Sequence, residues 1–486
     1  MPYRPTRRDL IAGSLGLGAA ALLGGCTAAS GPTPAGPVSP PPTPTFGAPA
    51  VKAVLNPGPA QVDLGGISPA TWCYDGTVPG PLLRAKAGEV VQVRVRNALP
   101  AETSVHWHGI ALHNAADGVP GITQEAIAVG ADHTYTFTAP DPGTYFFHPH
   151  SGVQIDRGLY APLIIDDPAE PGGYDHEWVL VLDDWTDGIA ASPDDILAAF
   201  KAEHGTVSEG MNHDMGGMVG MGDSPLGDVG DIPYPHYLVN GRIPAAPYAL
   251  GAKPGQRARI RFINAAADTL FRVALGGHSM RITHTDGFPV QPVETRAFHL
   301  AQGERVDVLV TLGDGVFPLV AKAEGKKGQG LAVVRTAAGS GPRADVLPAE
   351  LDSEPLLLTS LMPAESARLP EHEPDQFEQV TLNGQMKPYA WGMNGTTFGS
   401  DTPISTSPGR RLRLQMTNMT MMAHPMHIHG HTWSLPGSAG LRKDTVLVLP
   451  MQTVTADLQA DNPGRWAYHC HNTYHAEVGM MTTLQY

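Results

Sequence analysis

Three eleven-residue segments align without gaps: Ala87–Asn97 (AGEVVQVRVRN), Pro254–Asn264 (PGQRARIRFIN) and Pro408–Asn418 (PGRRLRLQMTN). Each has Gly at its second position and Asn at its eleventh. Between them the side chains alternate. Val91, Val93 and Val95 share one face of the first copy, Ala258, Ile260 and Phe262 of the second, and Leu412, Leu414 and Met416 of the third. Gln92 and Arg94, Arg259 and Arg261, and Arg413 and Gln415 take the opposite face. A period of two with one polar face predicts half-buried β-strands. A second repeat closes each unit. Gly143–His148 (GTYFFH) matches Gly464–His469 (GRWAYH), and Gly315–Val320 (GVFPLV) is the middle copy. Two repeats recurring at domain-length spacing predict an all-β chain of three tandem β-sandwich domains. Clusters of Pro, Gly, Asp and Ser put the boundaries near residues 168 and 345, giving domains 51–168, 169–345 and 346–486.

Composition agrees with a folded, turn-rich chain. Of 486 residues, 42% are hydrophobic and 16% charged, which excludes a disordered polyelectrolyte. Gly (56) and Pro (46) favour turns over long helices. A net charge of −15 argues against nucleic acid and favours cationic ligands.

The N-terminus is an address. Thr6-Arg7-Arg8-Asp9-Leu10-Ile11 resembles a twin-arginine export signal, and the apolar stretch Ile11–Leu23 is short for a membrane span. Leu23-Gly24-Gly25-Cys26 resembles a bacterial lipobox, which makes 1–25 a signal peptide and Cys26 the lipid-attachment residue. Residues 26–50, rich in Pro, Ala, Gly, Ser and Thr, form a tether. The expectation is an exported, membrane-anchored lipoprotein of the cell envelope, monomeric. The other cysteines are Cys73 and Cys470. Cys73 follows Trp72 in an apolar setting and reads as a buried thiol. Cys470 lies between two histidines and reads as a metal thiolate.

Ten of 21 histidines fall in four short clusters. These are His106-Trp107-His108, His148-Pro149-His150, His424-Pro425-Met426-His427-Ile428-His429, and His469-Cys470-His471 with His475. Residues i and i+2 of a strand share a face, so each His-x-His pair aims two imidazoles at one point. Imidazole suits Zn, Cu, Fe and Ni. The repeats align His106 with His427, His108 with His429, His148 with His469, and His150 with His471. The middle domain offers Val273, Leu275, Val320 and Lys322 at these positions, so it holds no ligand and reads as a spacer. Domains one and three then share one metal cluster. His424, Cys470, His475 and Met480 have no counterparts in domain one. Two His, one thiolate and a weak Met form the blue-copper electron-transfer set. Cys470 sits one residue from His469 and His471, a short route from an electron entry site to an oxygen site.

These clusters, in this order, resemble the multicopper oxidases, which include laccases, ferroxidases and bacterial copper-tolerance oxidases. The resemblance covers residues 50–486 and extends to Tyr74-Asp75-Gly76 before Pro79-Gly80-Pro81, Asn240-Gly241, and Lys443-Asp444-Thr445-Val446. The lipoprotein start and the HPMHIHGH string look most like the actinobacterial copper-resistance branch. The resemblance implies cupredoxin-like Greek-key domains and four copper ions per chain. It implies type 1 copper on His424, Cys470, His475 and Met480, and type 2 copper on His106 and His427. The type 3 pair then falls to His108, His148, His150, His429, His469 and His471. It also implies four one-electron oxidations coupled to reduction of dioxygen to water. Asp117, in Asp117-Gly118-Val119-Pro120, matches the family acid near type 2 copper. Ala476 stands where many bacterial members have a second acid, and Glu477 follows it.

The substrate signal is a Gly-rich loop with Met211, His213, Met215, Met218 and Met221. Thioethers are soft and select Cu(I). A second group, Met416, Met419, Met421, Met422 and Met426, neighbours His424. These features point to a cuprous oxidase in copper tolerance. A laccase-like phenol oxidase and a ferroxidase are the alternatives, and an exported copper store or electron carrier is the non-enzyme one.

Overall fold

The computed structural model describes residues 43–170, 172–203, 226–227, 230–370 and 372–486, which lie in one compact unit, Ser39–Tyr486. Cys26, the signal segment and the Met loop 211–221 fall outside the described residues.

Three sheet groups follow one another along the chain. Strands between Val51 and Asp166 form sheets of three and four strands and a two-stranded ribbon. Strands between His176 and Arg335 form sheets of six and five, and so do those between Gln376 and Gln485. Among the described residues helices are few; the longer two are Pro193–Glu203 and Thr473–Val478.

The first repeat plays one topological role three times. Val90–Arg96 lies between a parallel partner, Val51–Leu55, and an antiparallel one, Asp132–Thr138. Arg257–Asn264 lies likewise between His176–Trp185 and Arg305–Thr311, and Arg411–Asn418 between Gln376–Gln385 and Thr453–Gln459. The terminal Asn of each copy is a buried clamp. Asn97 Nδ2 donates to the carbonyls of Ala101 and Ile127, and its Oδ1 accepts from Leu99 N. Asn264 does the same with Thr269, Leu300 and Ala266, and Asn418 with Met422, Val448 and Thr420. Each amide so satisfies three buried backbone groups at a strand end, which an aliphatic side chain would leave unpaired.

One strand departs from its pattern. The polar face of Arg257–Asn264 is buried, not solvated. Arg259 donates to Asp307 Oδ2, and Arg261 donates to Asp307 Oδ2, Glu177 Oε2 and Thr144 Oγ1. The first unit covers this face with Thr144, and the second unit's own carboxylates, Asp307 and Glu177, take the place of water there.

The closing repeat is central in each second sheet. Gly143–His148 pairs with Ala161–Asp166 and His106–His108; Val316–Ala323 with Gln329–Arg335 and Phe271–Leu275; Arg465–Cys470 with Met481–Gln485 and His424–Ile428. His106 faces His148, and His427 faces His469. In the middle unit Val273 faces Ala321 and Ala274 faces Val320, so its two repeats are offset by one residue from the gapless alignment. All four residues are apolar and buried, and none is a metal ligand type. Beneath the first ligand strand Trp107 packs on Tyr135, Phe137 and Phe147 while His106 and His108 point the other way. Emptying such an aromatic site costs about 3–5 kcal/mol.

Candidate metal centre

The first and third units interleave their histidines with an approximate twofold relation. His106 stacks on His429 with ring centroids 3.7 Å apart, and His108 on His427 at 3.8 Å. His106 and His427 are repeat partners, as are His108 and His429, so the two stacks exchange under the relation. Coordinating atoms of His108, His148 and His471 lie within 4.8 Å of one another, as do those of His150, His429 and His469, and of His106, His108 and His427. All eight His-x-His imidazoles therefore converge.

Hydrogen bonds fix which ring nitrogen faces inward. His106 Nδ1 donates to the Asp117 carbonyl (2.9 Å) and His427 Nδ1 to the Asp444 carbonyl (3.0 Å). His148 Nδ1 donates to the Pro149 carbonyl (3.0 Å), and His469 Nδ1 to the Cys470 carbonyl (2.9 Å). His429 Nδ1 donates to the Asp117 carboxylate at 3.0 Å, and His108 Nε2 to Asp444 Oδ1 at 3.2 Å. One acid in each unit thus offers its carbonyl to one ligand strand and its carboxylate to the partner unit. Gly118, with φ +83°, is needed beside Asp117, since a Cβ there would fall 1.8 Å from the Val105 carbonyl.

This arrangement fits a metal. Among the described residues the inward atoms His106 Nε2, His108 Nδ1, His148 Nε2 and His427 Nε2 are buried without a hydrogen-bond partner, as are both nitrogens of His471, one of which carries the ring proton. Orphaned buried nitrogens are costly unless a cation takes their lone pairs. His429 and His469 already donate through Nδ1, so their Nε2 atoms face each other as lone pairs at 3.1 Å. His150 Nε2 lies 3.3 Å from the same His469 atom. Burial and the neighbouring imidazoles push His469 down to about 3, and burial acts the same way on His148, His150 and His471. The rings are neutral and free to coordinate.

A second cluster lies behind the first. Cys470 Sγ is 3.7 Å from His424 Nδ1 and 3.6 Å from His475 Nδ1, and all three residues are fully buried. Burial pushes the Cys470 thiol up, so a thiolate there calls for a bound cation. Met480 is buried beside them, and its carbonyl accepts from Cys470 N. Asn472 caps the helix bearing His475, accepting from Tyr474 N and His475 N. His475 Nε2 donates to Asp231 Oδ2 (3.1 Å), which also accepts from Tyr389 OH (2.7 Å). Trp391 stacks on His475 at 4.2 Å. Glu477 borders a cavity of about 30 Å³ with His148, His150, His469 and His471, the volume of about one water. Burial pushes its carboxyl up, against the pull of Lys201.

The middle unit is more than a spacer. It holds none of these ligands, yet Asp231 touches His475, and a Cβ on Gly303 would lie 2.8 Å from His471 and 3.0 Å from His108. Its Arg305 bonds Asp444 through both Nη atoms, at 2.7 and 2.5 Å. Asp444 had a sequence signal in its Lys-Asp-Thr-Val string. Asp231, Tyr389, Trp391 and Arg305 had none, because their partners are remote in sequence. The second methionine group splits: Met416, Met422 and Met426 are core, while Met419 and Met421 are 36% and 50% exposed.

Three family profiles, each described as multicopper oxidase, match residues 59–170, 176–339 and 371–486. The chain is 50% identical over 442 residues to the multicopper oxidase MmcO of Mycobacterium tuberculosis, covering 90% of this chain and 87% of the relative. It is 29% identical to a copper resistance protein A homolog of Pseudomonas syringae, over the full length of both. A multi-copper oxidase crystal structure from Pseudomonas thermotolerans superposes with TM-score 0.68 at 26% identity, covering 90% of this chain and all of that one. The chain therefore belongs to the multicopper oxidase family, as a three-domain, cupredoxin-like, copper-dependent oxidoreductase that uses dioxygen as electron acceptor and binds four copper ions.

Proposed function

We propose that this oxidase draws its electrons from Cu(I) and serves copper tolerance. In this reading His424, Cys470, His475 and Met480 hold type 1 copper. His106 and His427 hold type 2, and His108, His148, His150, His429, His469 and His471 hold the type 3 pair. When bound, copper supplies the redox chemistry, matching four one-electron oxidations to the reduction of one dioxygen to two waters.

The protein's own groups do the rest. Cys470 is covalently one residue from His469 and His471, which gives a backbone route between the two clusters. The Asp117 carboxylate, bonded to His429 and 3.2 Å from His106 Nδ1, is the proposed proton donor on one side. Glu477, bordering the small cavity, is the proposed donor on the other.

The observation that carries the substrate reading is the closed edge of His475. Its Nε2 is occupied by Asp231, and neither side chain has exposed surface. Tyr389 covers the same place and stacks on Phe200 at 4.0 Å. A phenol finds no open imidazole edge there. Soft ligands stand nearby: Met419 and Met421 on the loop before His424, and Met451, 58% exposed, beside Gln452, whose carbonyl accepts from Asn418 N. The loop with Met211, His213, Met215, Met218 and Met221 would add to them. The copper resistance protein among the relatives supports the same role. A ferroxidase is the second reading, favoured by Asp231 Oδ1, a buried oxygen that has no hydrogen-bond partner among the described residues and suits a harder cation.

The proposal includes export, a lipid anchor at Cys26 and a monomeric state. Its support is the sequence of the first 26 residues and the net charge of −15. Among the described residues no helix is long and apolar enough to cross a membrane.

Steady-state oxygen uptake with Cu(I), Fe(II) and a phenol, side by side, tests the reading. Cu(I) is expected to give the highest kcat/KM. A phenol oxidised as efficiently as Cu(I) contradicts it. Copper counting separates the carrier alternative, which needs one ion per chain.

A further inference from the structure

Asp117 and Asp444 are pseudo-equivalent in their bonds to histidine, but their other partners differ. Among the described residues no Lys or Arg pairs with Asp117. Asp444 is gripped by Arg305, and both side chains have no exposed surface. Arg305 Nη1 donates to Asp444 Oδ1 and to the Gly303 carbonyl, Nη2 donates to Asp444 Oδ2, and Nε donates to the Thr144 carbonyl at 3.0 Å. One side chain of the middle unit is thus bonded to all three units. Gly109, directly after His108, makes room. A Cβ there would fall 2.4 Å from Arg305 Nη2 and 2.6 Å from Asp444 Oδ2.

The fork matters for His108. With both oxygens held, Asp444 Oδ1 has a fixed place facing His108 Nε2 at 3.2 Å. Thr445 Oγ1 donates to the same oxygen at 3.0 Å. A carboxylate paired with guanidinium is acceptor only, so the His108 proton sits on Nε2. The lone pair is then on Nδ1, the buried atom with no hydrogen-bond partner among the described residues. The other side of the ring is set by Gly303, whose Cα approach leaves no space for a side chain.

We propose that Arg305 is a positioning residue for the oxygen-reducing site: by clamping Asp444 it fixes the ring and tautomer of His108, and it can do so only when the three units are seated together. The inference rests on the reading of His108 as a copper ligand. It gives the ligand-free unit a part in the chemistry and explains why the two equivalent acids differ. Asp444 is held still by an ion pair with Arg305, and Asp117 meets no Lys or Arg among the described residues.

The test uses the full-length holoenzyme and its apo form, as wild type, Arg305→Lys and Asp444→Asn. Lysine keeps the charge but cannot make the planar fork. Both variants are expected to keep the blue absorption and its anaerobic bleaching by Cu(I). Both should lose trinuclear copper to a chelator about 10–100-fold more readily, and reoxidise in oxygen more slowly by a similar factor. In 15N spectra of the apo protein, His108 is expected as a single Nε2–H tautomer in wild type and as a mixture in Arg305→Lys. Four retained coppers with wild-type reoxidation in Arg305→Lys would overturn the proposal, and so would an unchanged single tautomer. Loss of blue and trinuclear copper together with a fall in Tm would also overturn it, by making Arg305 a purely structural residue. If Arg305→Lys does not fold, the near-isosteric Asp444→Asn decides by the same copper and reoxidation readouts. Failure of the underlying ligand reading is separate: it appears as His108→Ala keeping four coppers.

Discussion

Asp231 Oδ2 accepts a hydrogen bond from His475 Nε2 at 3.1 Å, across 244 residues of sequence and with both side chains fully buried. The middle unit therefore reaches the proposed electron entry site as directly as it reaches the proposed oxygen site. A carboxylate on the far nitrogen makes an imidazole a stronger donor to its metal and fixes its ring. Asp231 itself is tied down, since its backbone N–H donates to Asp268, whose carboxylate also binds Lys326 and Asn472.

Asp231→Asn should keep the blue absorption, raise the reduction potential of the blue site, and with that larger driving force speed rather than slow its bleaching by Cu(I). Potentiometric titration and stopped-flow bleaching read the two effects. An unchanged potential would remove Asp231 from the entry site.

Cys470→Ser should abolish the blue absorption and oxidase turnover while trinuclear copper stays bound, because the serine oxygen is a poor substitute for a thiolate. Optical spectra and metal analysis of one preparation check this. A variant that stays blue would exclude Cys470.

Glu324 predicts a pH-dependent part of the stability. Burial alone would raise its carboxyl, but the hydrogen bond from His299 and the pull of Arg272 outweigh it and bring it from the ordinary 4.5 to about 2. A depressed folded-state value means a contribution fully present above pH 4.5 and lost as the pH falls toward 2. Glu324→Gln should cost about 1–2 kcal/mol at neutral pH by that linkage, once solvent screening of the pair is allowed for. The gap to wild type should narrow through this window. Denaturant unfolding at a series of pH values measures it, and a gap constant with pH would contradict the assignment.

Cys26→Ala should move the protein from the membrane fraction to the soluble one with specific activity unchanged. Fractionation after a salt wash decides. Continued membrane association speaks against a lipid anchor.

Much of the molecule was legible in the sequence, for physical reasons that can be named. Strand alternation and the Gly and Asn of the repeat are local signals, and they located Val90–Arg96, Arg257–Asn264 and Arg411–Asn418. His-x-His on a strand is also local, so all eight convergent imidazoles were readable before any coordinates. The Arg259 and Arg261 face was misread because solvent was assumed where Asp307, Glu177 and Thr144 stand. The one-residue offset of Val273 and Ala321 was invisible because every residue near it is apolar. Arg305 and Asp444, 139 residues apart, were hidden because pairing between domains leaves no periodicity to read.

In the proposed mechanism histidines of the first and third units form one oxygen-reducing site, fed through Cys470. Its most direct test is a half-cycle: bleach the blue absorption anaerobically with Cu(I), then admit oxygen, in wild type, His108→Ala and His148→Ala. All three should bleach, and only wild type should regain its colour at speed. Recovery of both variants at the wild-type rate would contradict it.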